Sequence, residues 1–160
     1  MDISNSILDG ATATMLSGET AVGKYPVEAI RVMSNISNSS IKFKDNLQPD
    51  INHKNDSDVY GTAKAIRNIC LSLPVTKIIA ITVSGFAARI ISSQLLFQPI
   101  IAITNNKETA RLTNLFAGTK GVYFDTEFYK NSLDHIPKCL FHLWKQKYIQ
   151  PKDMLLITAL

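Results

Sequence analysis

Two cysteines in 160 residues, Cys70 and Cys139, are too few and too far apart for a disulfide framework or a zinc site. Both fall at apolar positions of expected helices, where reduced core thiols belong, and this points to a cytoplasmic protein. Long apolar runs are missing as well. The longest, such as Ile78–Val83, have strand length and fall short of the ~20 residues a membrane span needs. No apolar N-terminal region with a cleavage site is seen, so neither export nor membrane association is expected. Charged residues make up only 19%, and the net charge of +4 is scattered along the chain. Without a basic arm or stripe, no nucleic-acid partner is expected. His53, His135 and His142 share no metal-ligand spacing, and repeats and low-complexity tracts are absent. What remains, at 46% apolar, is a packed soluble domain large enough for a real core.

The first forty residues read as a short helix from Asp2 ending at Gly10, a strand-length run from Ala11 to Leu16, and a polar loop from Ser17 to Lys24. Pro26 then opens a helix at its first position, with Glu28 near the positive end of the dipole. Val27, Ile30, Met33 and Ile36 form its expected buried stripe, and the helix fades over Asn35–Ser40. Lys42–Asp58 is rich in Lys, Asn, Asp and Ser, so a domain boundary falls there.

A helix capped by Asp56 or Ser57 follows, with Val59, Ala63, Ile66, Cys70 and Leu73 on its buried face and its end before Pro74. Strands are expected at Lys77–Val83, Pro99–Thr104, Gly121–Asp125 and Met154–Ala159, with helices at Phe86–Leu96, Lys107–Ala117 and about Ile136–Tyr148. Strands apolar on every residue and separated by helices imply a mostly parallel sheet covered on both faces, a doubly wound α/β domain. Leu140, Phe141 and Trp144 read as core or subunit-interface residues, and Pro137 belongs in the first turn of the last helix.

Asp2-Ile3-Ser4-Asn5-Ser6-Ile7-Leu8-Asp9-Gly10-Ala11, then Met15-Leu16-Ser17-Gly18-Glu19-Thr20-Ala21-Val22-Gly23-Lys24-Tyr25-Pro26, resembles the last strand and βα loop of the pyruvate kinase barrel. Thr82-Val83-Ser84-Gly85-Phe86-Ala87-Ala88-Arg89, Pro99–Asn106 and Thr109-Ala110-Arg111 resemble the same family's C-terminal regulatory domain. The resemblance implies three parts: residues 1–41, the last βα unit of a (β/α)8 barrel; 42–56, a linker; and 57–160, the α/β domain without its final strand and effector loop.

By that resemblance Ser17 and Glu19 are vestigial catalytic residues. They lie beside the substrate pocket, where a hydroxyl and a carboxylate hold water and help relay a proton to the enolate of pyruvate. Read from the residues alone, they satisfy backbone N–H groups of a tight loop. Val22 departs from the lysine common at its position, and Lys24 is the cation nearest to it in the loop.

Thr82, Ser84 and Gly85 match the loop that binds a phosphorylated effector in the family, although Ala87 stands where a hydroxyl residue is frequent. The alternative is an ordinary βα turn. The complete family enzyme transfers phosphate from phosphoenolpyruvate to ADP with Mg²⁺ and K⁺. The lysine and the metal ligands come from barrel strands not found in these residues, so catalytic incompleteness and no metal binding are expected. Expected partners are a sugar-phosphate or nucleotide effector, a second copy, or the rest of the barrel. A stand-alone phosphometabolite-binding or subunit-interaction module is the competing reading.

Overall fold

The computed structural model describes residues 2–42, 58–128 and 132–159. The chain divides into two units, Met1–Asn52 and His53–Leu160. The expected linker falls almost wholly on residues 43–57, outside the described residues, as does His53.

The first unit is helical: α1 Asp2–Leu8, α2 Gly18–Ala21 and α3 Pro26–Lys42. Helix α1 ends where Gly10 turns to φ 94°. There the N–H of Gly10 donates to the Ile7 carbonyl and that of Ala11 to Ser6, at 3.1 and 2.9 Å, a Schellman closure. Residues 11–16 are not a strand, against the expectation. A strand exists by pairing, and among the described residues of this unit no second strand offers a ladder. Pro26 opens α3 as expected, but the helix runs on to Lys42 instead of fading. The hydroxyls of Ser37 and Ser40 donate to the carbonyls of Met33 and Ile36, each at 2.9 Å, so these polar residues are satisfied without leaving the helix.

The expected stripe of α3 is corrected too, since Val27 and Ile30 are each 53% exposed. Its contacts lie further along. Ile36 and Asn35 face Ser4 and Leu8 across a shallow cavity of about 380 Å³, and Met33 shares another with Ile3 and Leu16.

The second unit holds α4 Asp58–Ser72, β1 Lys77–Ile81, α5 Phe86–Ser92, β2 Ile100–Thr104, α6 Lys107–Leu112 with a 3₁₀ turn to Leu115, β3 Thr119–Tyr123, α7 His135–Lys145 and β4 Leu155–Ala159. The four strands are parallel in the order β3-β2-β1-β4. This is the doubly wound arrangement expected from the apolar strands.

Alternation along β1 and β2 divides the core in two. Ile78, Ala80, Ile100 and Ala102 pack with Ile66, Cys70, Ala88 and Ile91 from α4 and α5. Ile79, Ile81, Ile101 and Ile103 pack with Cys139 and Leu143 from α7 on the opposite face. Each buried isoleucine is worth roughly 1.5–3 kcal/mol.

One apolar assignment changes. Helix α4 stops at Ser72, which leaves Leu73 54% exposed, and Val75 beyond Pro74 takes the core position. The side chain of Val59 lies outside those described. Phe141 and Trp144 lie on the outer face of α7, 5.9 Å apart and more than half exposed, which takes them out of the core and leaves the subunit-interface reading, while Leu140 packs on the core.

At the sheet edge, β3 passes so close to α6 that a Cβ on Gly121 would sit 1.8 Å from the Ala110 carbonyl oxygen. Only a glycine fits there. On the opposite side, Asp153 accepts from Lys77 Nζ, from Thr76 Oγ1 at 3.3 Å and from the Gln150 N–H at 2.6 Å, which ties the start of β4 to that of β1.

Candidate functional sites

Ser17 and Glu19 stand together at the start of α2, both exposed. The Ser17 N–H donates to Glu19 Oε2 at 3.2 Å, and Thr20 Oγ1 donates to the Ser17 carbonyl at the same distance. Donation from the backbone of Glu19 itself and of Ser17 holds its carboxyl below the usual carboxylate range. An ionised carboxylate of this kind accepts hydrogen bonds well and is a poor proton donor near neutrality. Val22 is 90% exposed, and Lys24 Nζ lies 5.4 Å from the Tyr25 ring centroid.

In the second unit, β1 runs directly into the turn that carries Thr82, Ser84 and Gly85, and α5 follows. Gly85 has φ 82°, and its N–H donates to the buried Thr82 Oγ1 at 3.0 Å. The Phe86 N–H lies 3.4 Å from Ser84 Oγ, which accepts it. Both side chains thus take up donors of their own turn. Because Ile81 pairs with Ala159, the turn lies at the carboxyl edge of the sheet where β1 and β4 adjoin, the switch point of the strand order.

Residues outside the sequence-based set support this turn. Thr104 Oγ1, fully buried at the end of β2, donates to the Val83 carbonyl at 3.3 Å and accepts from the Asn106 N–H at 3.2 Å. The methyl groups of Thr109 and Thr113 would meet a Cβ on Gly85 at 3.2 and 3.1 Å. The sequence signal is Thr104 and Asn106, polar residues at and just beyond the end of an otherwise apolar strand. Further along the same edge, Lys107 Nζ sits 5.2 Å from the Tyr123 ring centroid. Desolvation, and then the neighbouring Asp125, push the Tyr123 phenol up.

Among the described residues no group of three or more His, Cys, Asp or Glu could hold a metal ion. Glu19 alone does not fit a Mg²⁺ or K⁺ site. His135 and His142 are packing groups, against Phe128 and Phe124 at centroid distances of 5.2 and 4.3 Å. Cys70 and Cys139 are buried free thiols, with Cys139 pushed up to about 11 by desolvation. No described helix is long and apolar enough to cross a membrane.

A doubly wound α/β domain with a polar turn at its switch point, preceded by a helix, a glycine-containing loop and a second helix, defines the class. Family models place it further. Residues 61–159 match the pyruvate kinase alpha/beta domain, and residues 1–30 match the pyruvate kinase barrel domain. The chain belongs to the pyruvate kinase family.

Similar proteins include a pyruvate kinase of Agrobacterium vitis, 34% identical over 165 residues, with 99% of this chain and 33% of that protein covered. One of Staphylococcus saprophyticus is 35% identical, with 99% of this chain and 27% of that protein covered. A solved Cryptosporidium parvum pyruvate kinase superimposes with a TM-score of 0.79 at 27% identity, covering 99% of this chain and 33% of that one. The chain thus spans about a third of the length of the relatives it matches.

Proposed function

We propose that these 160 residues are the regulatory α/β domain of a pyruvate kinase together with the last βα unit of its barrel, and that by themselves they do not transfer phosphate from phosphoenolpyruvate to ADP. The observation that carries this is the order of the two family matches along one chain, barrel first and α/β domain second. Residues 1–41 correspond in this reading to the barrel unit, 42–56 to the linker and 57–160 to the α/β domain.

Phosphoryl transfer rests on positioning and on cations that neutralise the moving phosphoryl group. Ser17 and Glu19 supply neither a cation nor a metal cluster. Their role is to order water beside the substrate once the rest of a barrel is present. Mg²⁺ and K⁺ belong to that larger assembly, as does the place of the reaction in glycolysis. The cytoplasm is the fitting compartment for two buried free thiols.

For the second unit, the turn Thr82–Gly85 receives a sugar-phosphate or nucleotide effector. Its position at the switch point supports this. The Gly85 and Phe86 N–H groups already donate to the Thr82 and Ser84 hydroxyls, bonds that an anion has to replace, so binding there is weak unless a further loop closes over it.

The test is a lactate dehydrogenase-coupled assay of the 160-residue chain with phosphoenolpyruvate, ADP and saturating Mg²⁺ and K⁺. No turnover is expected. A rate above roughly 1 s⁻¹, within the ordinary enzyme range, overturns the proposal.

A further inference from the structure

Helix α7 is divided sharply between its two faces. The inner face, with Cys139 and Leu143 fully buried, packs on the sheet. Lys138, Phe141, Trp144 and Lys145 follow at spacings of three and four residues, so they share the opposite face. All four are exposed, Phe141 at 62% and Trp144 at 54%. The two rings lie 5.9 Å apart, tilted by 46° to each other. An exposed apolar patch rimmed by charge marks a contact surface.

The charge around it has one sign. From His135 to Lys152 the chain carries Lys138, Lys145, Lys147 and Lys152 and no Asp or Glu, although it has 13 acidic residues in all. The acids at the two ends of this run are engaged elsewhere, Asp134 with Ser132 and Asp153 with Lys77. All four lysines are exposed, and among the described residues Lys77–Asp153 is the one salt bridge, so the fold neutralises none of them. Lys147 turns to φ 62° just beyond the helix, and its N–H donates to the Trp144 carbonyl at 2.9 Å, which keeps this cation next to the aromatic pair.

From this combination we infer that the outer face of α7 docks on an anionic phospholipid surface, with Phe141 and Trp144 at headgroup depth and the lysines over the phosphates. Lysines are mobile point charges that suit a diffuse negative layer. A protein partner with fixed carboxylates favours arginine and depletes lysine, and no arginine occurs between His135 and Lys152. The helix face is convex and its rings stand out from it, which a fluid layer receives without a preformed groove. Their tilt also departs from a parallel platform for bases. The expectation of no membrane association rested on the lack of long apolar runs. That argument reaches spanning segments, and no described helix is one, whereas lying on a surface needs only a face. The inference is independent of any effector at Thr82–Gly85. Each lysine near an anionic surface raises partition about fivefold. Half-saturation is expected on the order of 100 μM accessible lipid.

Trp144 is the only tryptophan of the chain, so its emission reports on this face alone. Vesicles of phosphatidylcholine with about 40% phosphatidylglycerol, titrated into the full chain, should shift that emission to the blue and carry the chain down on sedimentation. Pure phosphatidylcholine, or the anionic vesicles at ~1 M salt, should lose most of both signals. Lys138→Glu combined with Lys145→Glu should weaken partition about 25-fold or more. Phe141→Ser should weaken it about tenfold. Far-UV circular dichroism should stay unchanged in both variants, because the three side chains are exposed. No shift with the anionic vesicles overturns the proposal, as does binding that both variants leave intact. A shift produced by raising the chain concentration without lipid also overturns it and assigns the face to a subunit contact. So does an equal shift with poly-glutamate, or quenching by oligothymidylate, which assigns it to a protein or a nucleic acid.

Discussion

Every buried apolar side chain among the described residues belongs to the second unit, from Ala63 to Ile149, whereas the first unit buries only Ser40. Ile78, Ile79, Ile103 and Leu143 are fully enclosed, while Met15 is 88% and Val32 55% exposed. Both units have regular backbone, so secondary structure by itself does not make a core. A parallel sheet brings its own second and third layers through its crossovers, and the four strands with their helices enclose themselves. One βα unit of a barrel has a single layer and is designed to share its apolar side chains with neighbours.

The largest expected difference is in local stability. By hydrogen exchange on a dilute monomer, the amides of Ile79 and Ile101 should exchange only with global unfolding, and those of Ile7, Met15 and Ile30 orders of magnitude faster. Equal protection in the two units would break the comparison and show a first unit that is folded in its own right.

A smaller effect is read by truncation. Leu143→Ala empties a fully buried site and should cost about 3 kcal/mol in urea unfolding. Ile30→Ala, at a residue 53% exposed, should stay within roughly 0.5 kcal/mol. A large loss from Ile30→Ala would mean that α3 buries it against a surface supplied by association.

The smallest effect sharpens the comparison within the second unit. Hydrogen bonds from Lys77 and from the Gln150 N–H hold the Asp153 carboxyl below its ordinary value of 3.8. A depressed folded value means that its stabilisation is present above the unfolded value and is lost as pH falls through the folded one. Asp153→Asn should therefore lower the melting temperature slightly at pH 7. The gap to wild type should close below about pH 4, and a gap that persists there would assign the effect to packing instead.

The sheet was legible because strands buried on both faces are apolar at every residue. Ile78–Ile81 and Ile100–Ile103 mark the two central strands by themselves. Element ends were less so. Helix α5 stops at Ser92 rather than Leu96, because the Gln94 and Leu95 N–H groups bond three residues back, to Ile91 and Ser92, and Leu95 turns to φ 52°. Strand β3 begins two residues early, at Thr119, since an edge strand tolerates polar residues such as Lys120. Ala11–Leu16 was misread because strand composition cannot supply a partner.

At the candidate sites, positions were legible and hydrogen bonding was not. Strand-turn-helix punctuation located Thr82, Ser84 and Gly85, yet nothing in it says that Thr82 and Ser84 would accept from their own turn.

The close passage of β3 over α6 has a consequence for how this sequence can drift. Every single-base change in a glycine codon that alters the amino acid adds a Cβ, and at Gly121 any Cβ lands on the Ala110 carbonyl. That codon therefore tolerates only synonymous neighbours, while at Gly61 or Gly18 an added Cβ meets nothing within 4 Å. Gly18 and Gly61 are free to wander, whereas Gly121 is fixed by an oxygen eleven positions earlier and Gly23 by the Glu19 carbonyl oxygen, 2.2 Å from where its Cβ would lie.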